Sequence, residues 1–158
     1  MTNPIPTGFH SVTPYLHVRG ALKAIDFYKK AFGAEERFVM PGPEGRVMHA
    51  EIKIGDSIVM ISDECPEMGA LGPEGRGGAT SSLFLYFTNV DTAFDKAVQA
   101  GCTVKMPLQN QFWGDRFGTV VDPFGHVWSM ATHVEDVSPE DMKKRSEEAM
   151  KQMAAARK

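Results

Sequence analysis

The sequence predicts an α+β protein built from two β-α-β-β-β modules followed by a C-terminal helix. Three observations carry that prediction. Alternating apolar segments dominate the chain, the order strand, helix, three strands occurs twice, and the two copies align at an offset of 69 residues. At that offset Thr13 meets Ser82, Tyr15 meets Phe84, His17 meets Tyr86, Ala24 meets Ala93 and Met60 meets Ser129; a one-residue deletion before Gly101 keeps it in step with Gly33. Two copies are too few for a solenoid, which needs about three, so a paired-module fold is expected. The modules are assigned to residues 9–62 and 82–133, a Gly-rich linker to 63–81, and the C-terminal helix to 138–157.

In the first module, residues 12–18 alternate as a strand and stop at Arg19-Gly20. Leu22, Ile25, Tyr28 and Phe32 then recur at helical spacing over 21–32, and Gly33 is a natural C′ stop. Extended segments follow at 35–40, 47–54 and 57–62, separated by Gly42-Pro43-Glu44-Gly45 and by Gly55-Asp56. The second module repeats the pattern with a strand at 82–88, a helix at 91–100 ended by Gly101, and extended runs at 103–109, 116–122 and 127–133. The linker carries five glycines and two prolines between residues 63 and 80, and reads either as a solvated connection or as a lid beside a site. Gly-Pro-Glu-Gly-Arg occurs at 42–46 and 72–76, and neither copy is followed by the Gly-Lys-Ser/Thr of a phosphate loop. Ser138-Pro139-Glu140-Asp141 is a helix start: an N-cap, Pro at N1 and early acids. Met142, Ser146, Ala149, Met150 and Met153 form its less polar stripe, and Lys151, Arg157 and Lys158 suit the C-terminal end of its dipole.

Composition narrows the function classes. The chain has 158 residues, 17 Lys+Arg against 20 Asp+Glu and a net charge of −3. With 42% hydrophobic and 23% charged residues it has the make-up of a folded domain. Mild acidity without a basic run argues against nucleic acid as a partner. The apolar runs 58–61 and 83–87 are far too short to cross a bilayer, so no membrane role is expected. Met-Thr-Asn-Pro-Ile-Pro has neither a basic nor an apolar leader region, so no secretory signal is expected. Cys65 and Cys102 make no disulfide framework and no C-x-x-C, which suits a reduced, cytoplasmic setting.

Several motifs together point to a family. Val12-Thr-Pro-Tyr-Leu16, Ala24-Ile-Asp-Phe-Tyr28, Phe32-Gly-Ala34, Met48-His-Ala-Glu-Ile52, Met60-Ile-Ser-Asp63 and Met106-Pro-Leu-Gln109 are followed by Phe112-Trp-Gly-Asp-Arg-Phe-Gly118 and Asp122-Pro-Phe-Gly-His-Val-Trp128. With these the chain resembles the vicinal-oxygen-chelate superfamily of glyoxalase I, extradiol dioxygenases and bleomycin- and fosfomycin-resistance proteins, and within it the PhnB-like branch. The resemblance covers about residues 9–133. It implies a curved mixed sheet around a concave cavity, a homodimer in which paired chains complete each cavity, and a divalent metal held by His and Glu on the first and last strands of each module. Carried onto this sequence, the four ligand positions are Thr13, Met60, Ser82 and Ser129. A thioether and three neutral hydroxyls do not supply the imidazole and carboxylate donors such metals need. The resemblance therefore implies the fold without its usual metal site, and no cofactor is expected, although a divalent metal at a non-family position is left open.

Strand parity identifies what else faces the cavity. If Thr13 faces inward, so do Tyr15 and His17; if Ser82 does, so do Phe84 and Tyr86. His49 and Glu51 alternate against Met48, Ala50 and Ile52, whose apolar side chains should meet the helix, so the two polar residues are expected in the cavity. They read as hydrogen-bonding pocket residues, as an acid–base pair, or as ligands of a displaced metal site with His17 or His10. Trp113 and Arg116 read either as an anion-binding aromatic rim or as part of a surface turn, with Asp115 pairing Arg116. His126 is expected to buttress its own turn, His133 to face solvent, and Trp128 to lie in the core. Cys102 follows a helix C-terminus, where the dipole makes a thiol a poor nucleophile, and no Ser-His-Asp arrangement or Gly-x-Ser-x-Gly elbow is present. The expected function is binding of a small organic molecule. The alternative is a lyase, isomerase or dioxygenase that uses His49 and Glu51, or a non-family metal site.

Overall fold

The computed structural model describes residues 2–156. The first module runs β1 (Tyr15–Val18), α1 (Ala21–Phe32), β2 (Glu35–Pro41), β3 (Val47–Ile54) and β4 (Ser57–Asp63). A short helix, α2 (Pro73–Arg76), lies in the linker. The second module runs β5 (Ser82–Tyr86), α3 (Val90–Ala100), β6 (Thr103–Asn110), β7 (Asp115–Val121) and β8 (Val127–His133), and α4 (Pro139–Ala156) follows. Arg157 and Lys158, expected at the end of the last helix, lie outside the described residues.

Each module forms a four-stranded mixed sheet, ordered β1-β4-β3-β2 and β5-β8-β7-β6. The repeat is visible in the register: Tyr15 pairs with Met60 and Phe84 with Ser129, each pair 69 residues from its counterpart. The helix entries repeat as well. Asp63 accepts from the backbone N–H of Ala21 at 2.9 Å, and Thr132 accepts from that of Val90 at 2.8 Å. Both side chains cap the helix of their own module from the end of its last strand, meeting donors that the first turn leaves unpaired.

Three details depart from the sequence pattern. β1 begins at Tyr15 rather than residue 12, because Pro14 has no N–H to give and only accepts, through its carbonyl, from Met60 at 2.9 Å. Met48 is exposed although its neighbours Ala50 and Ile52 are buried. The β2–β3 register shifts between Met40 and Pro41, which turns Met48 out of the alternation and puts Val47 in the core. Leu22 is exposed too, since the buried face of α1 is drawn by Ala21, Ala24, Ile25, Tyr28, Ala31 and Phe32.

The modules share one core. Tyr28 and Phe32 of α1 reach across to Trp128 of β8, with ring centroids 5.2 and 4.6 Å apart, and Phe27 meets Phe124 edge-on at 6.0 Å. Trp128 and Tyr28 are fully buried. Burial of an apolar side chain of this size contributes about 1.5–3 kcal/mol, so these rings are a main tie between the modules. The linker is tied down as well. Glu64 accepts from Arg19 Nε at 2.6 Å and from the backbone N–H of Gly72 at 2.7 Å. A Cβ at Gly72 would run into the carbonyl of His17, and one at Gly125 would lie 2.8 Å from Pro73. Part of the linker thus packs against β1 and the 122–126 turn.

Candidate functional site

On the open side of the first sheet, Tyr15, His49 and Glu51 form a chain. Tyr15 Oη lies 3.0 Å from His49 Nδ1, and His49 Nε2 lies 3.5 Å from Glu51 Oε1. With Tyr15 donating to Nδ1, the imidazole proton sits on Nε2 and points at the carboxylate. The strands place these groups directly: His49 and Glu51 are two apart on β3, Tyr15 and Glu51 are both paired to Met60, and Ala50 and Ile52 between them face the core. His17 is next along β1, where its Nδ1 meets Ser62 Oγ at 2.9 Å. Burial first, then the nearby His126, hold its pKa below the usual histidine value.

The open side of the second sheet is a wall of aromatic rings. Phe84 and Tyr86 stand 4.9 Å apart, Phe117 stacks on Phe84 at 5.5 Å, and Trp113 meets Phe117 edge-on at 5.7 Å. Phe84 and Tyr86 are 47% and 64% exposed, whereas Asp115 beside them is only 4% exposed. One oxygen of that carboxylate, Oδ2, accepts from Tyr86 Oη at 3.1 Å and from Trp113 Nε1 at 3.2 Å. The other, Oδ1, lies 2.8 Å from His133 Nδ1, and His133 Nε2 lies 2.9 Å from Asp136. Two carboxylates at one ring call for both nitrogens protonated, and Asp115 first, then Asp136, raise the pKa of His133.

A cavity of about 980 Å³ runs between the two sheets, lined by both edge strands, β1 and β5, and by the β3–β4 turn. Thr13, Tyr15, Ser82, Phe84 and Tyr86 line it; His49 and Glu51 stand on the open face of β3 instead.

Arg116 stands apart from this set. Its guanidinium donates to Asp91 at 2.6, 2.8 and 3.0 Å and to Asn110 at 3.3 Å, at the start of α3. Parity explains the placement, because Arg116 alternates with Asp115 and shares the helix-facing side of β7 with Gly118 and Val120. Asp115 therefore serves Tyr86, Trp113 and His133 rather than Arg116. His133 is exposed, as expected, and is also held between two carboxylates, a placement that the parity of Ser129, Ala131 and His133 carried. His126 reaches beyond its own turn, its Nε2 donating to the carbonyl of His17 at 3.0 Å. Burial, then Asp122, pushes the Cys102 thiol up to about 12.

A family model described as Glyoxalase/Bleomycin resistance protein/Dioxygenase superfamily matches residues 9–130. The chain belongs to that superfamily. An uncharacterized protein of Mycobacterium bovis is 42% identical over 135 residues, covering 84% of this chain and 89% of its own. Among solved structures, protein PA1353 from Pseudomonas aeruginosa is similar with a TM-score of 0.63 at 26% identity, over 80% of this chain and 99% of its own. The PhnB protein from Bacillus cereus shares the fold with a TM-score of 0.61 at 24% identity, over 78% and 99%.

The superfamily's usual metal can be tested against the residues at its four positions. Thr13 donates its hydroxyl to the carbonyl of His10 at 3.2 Å, Met60 offers a thioether, and Ser82 and Ser129 offer neutral hydroxyls. No imidazole or carboxylate is among them, so this donor set does not fit a divalent cation. Among the described residues no group of three or more His, Cys, Asp and Glu is gathered as a metal site elsewhere. No helix among them is long and apolar enough to cross a membrane.

Proposed function

We propose that this chain is a PhnB-like member of the superfamily that binds a small organic molecule in a cavity lacking the family's usual His/Glu metal site. The observation that supports this reading best is the cavity of about 980 Å³ lined by Tyr15, Phe84 and Tyr86. It lies at the upper end of the roughly 300–1,000 Å³ range of small-molecule sites, and it pairs apolar rings with a few polar groups as such sites do. His17, His49, Glu51 and Trp113 extend the binding face on either side. The protein acts as a homodimer in which the partner completes each cavity, and Phe38, Met40 and Met106 leave apolar surface open on the two sheets for it. A cytoplasmic setting suits the free thiols of Cys65 and Cys102.

The test is a thermal-unfolding screen of metabolite-sized and antibiotic-sized compounds on chelator-treated protein, with light scattering for the mass. At least one compound raises Tm saturably in the wild type and loses that effect in Phe84→Ala, and the mass is that of two chains. No stabilising compound, or unchanged stabilisation in Phe84→Ala, contradicts the binding reading. A one-chain mass contradicts the dimer.

A second reading, an acid–base enzyme, is favoured by one arrangement: the Tyr15–His49–Glu51 chain. Glu51 beside Nε2 leaves Nδ1 to accept from Tyr15, and Tyr15 would pass a proton between His49 and a bound molecule. Glu51→Gln then keeps ligand affinity and loses turnover of that ligand. Turnover unchanged in Glu51→Gln removes this reading and leaves binding.

A further inference from the structure

We propose that the aromatic wall of the second module selects an organic cation, such as an alkylammonium group, over neutral and anionic molecules of the same shape. This rests on the small-molecule reading above and names the class of ligand.

The argument begins with the rings. Phe84, Tyr86, Phe117 and Trp113 form one continuous surface, with neighbouring centroids 4.9, 5.5 and 5.7 Å apart. The face of an aromatic ring carries negative charge, and a cation within about 6 Å of its centroid is attracted to it. Two of these rings are more electron-rich than usual, because Tyr86 Oη and Trp113 Nε1 both donate to Asp115 Oδ2, at 3.1 and 3.2 Å. Donation to an anion pushes electron density back into the ring. The carboxylate also stands beside the wall at 4% exposure, where water screens it little.

Local charge agrees. Arg116 is engaged by Asp91, and Arg145, which touches the carbonyl of Phe112, is engaged by both oxygens of Glu135. His133, even when protonated, is flanked by Asp115 and Asp136. The negative charge beside the wall is thus that of Asp115 and Asp136, at its Tyr86–Trp113 end, while Lys105 lies toward the other end with Ser82, Thr119 and Ser129. A carboxylate or phosphate ligand is repelled there, and a neutral one gains only from contact area.

The chain has two tryptophans, so the experiment has a built-in reference. The indole N–H signals of Trp113 and Trp128 are followed by ¹⁵N NMR on the full chain, during titration with choline and with its uncharged isostere 3,3-dimethylbutan-1-ol. Choline shifts the Trp113 signal saturably while that of the fully buried Trp128 stays in place. Its affinity exceeds that of the alcohol by about tenfold, in keeping with a desolvated cation–π contact. Tyr86→Leu, at a 64% exposed position and checked for folding by its unchanged Trp128 signal, abolishes the difference. Equal binding of the two compounds overturns the cation preference and leaves small-molecule binding standing. A Trp113 signal that choline does not move, or full preference retained in Tyr86→Leu, overturns it as well.

Discussion

Tyr28 donates its phenol proton to Asp122 Oδ2 across 2.7 Å, joining the helix of one module to the last hairpin of the other. Both residues are buried, and Trp128 Nε1 donates to the same oxygen at 2.8 Å. Oδ1 accepts from the backbone N–H groups of Phe124 and His126 at 2.8 and 3.0 Å. Four donors on one carboxylate make Asp122 the polar centre of an otherwise aromatic seam.

Removing one of those donors has a defined cost. Tyr28→Phe keeps the ring and deletes the proton, leaving a buried charge with one partner fewer. A hydrogen bond to a charged group is worth about 1.5–3 kcal/mol, so urea unfolding loses about that much with an unchanged m-value. A loss under about 0.5 kcal/mol would show that the bond contributes no more than a surface contact.

The two thiols separate by burial. Cys102 is buried, with its thiol pushed up to about 12, whereas Cys65 is partly exposed in the linker. Thiolate is the reactive form, so a thiol reagent at pH 8 modifies one cysteine per native chain and two in denaturant. Fast modification of Cys102 in the folded protein would contradict its packing.

His133 and His17 titrate in opposite directions. His133 is raised above 6.5 by Asp115 first and Asp136 second, and His17 is lowered below 6.5 by burial first and His126 second. A raised histidine stabilises the fold fully below pH 6.5, and that contribution fades as the pH rises through its folded-state value. A lowered one contributes above 6.5 and fades as the pH falls through its folded-state value. Histidine NMR titration therefore gives two midpoints on either side of 6.5. The stability gap between wild type and His133→Gln narrows as the pH rises above 6.5, and a gap that widens instead reverses the assignment.

Much of the fold was legible because its signals are local and periodic. The stripe of Ile25, Tyr28 and Phe32, the stops at Gly33 and Gly101, and the 69-residue offset are all read along one line of chain. The second half of the site was hidden for the opposite reason. Asp115 and His133 are 18 residues apart, and only the β7–β8 register makes them neighbours, so Asp115 beside Arg116 reads as a local ion pair. Arg116 itself was drawn toward the site by its chemistry, while parity sends it to the helix side and Asp91. Met48 shows the limit of alternation, which a single bulge defeats. Nothing in the linker's glycines and prolines announced that Glu64 would hold it against β1.

The central claim is a ligand site that works without the family's metal, and isothermal titration of a screened ligand, with and without excess EDTA, tests it most directly. Saturable binding with the same Kd in both buffers is the predicted result. At a ligand concentration of about 100 Kd it is matched by about 2.7 kcal/mol of added stability. Binding that disappears in EDTA and returns with a divalent cation would contradict the account.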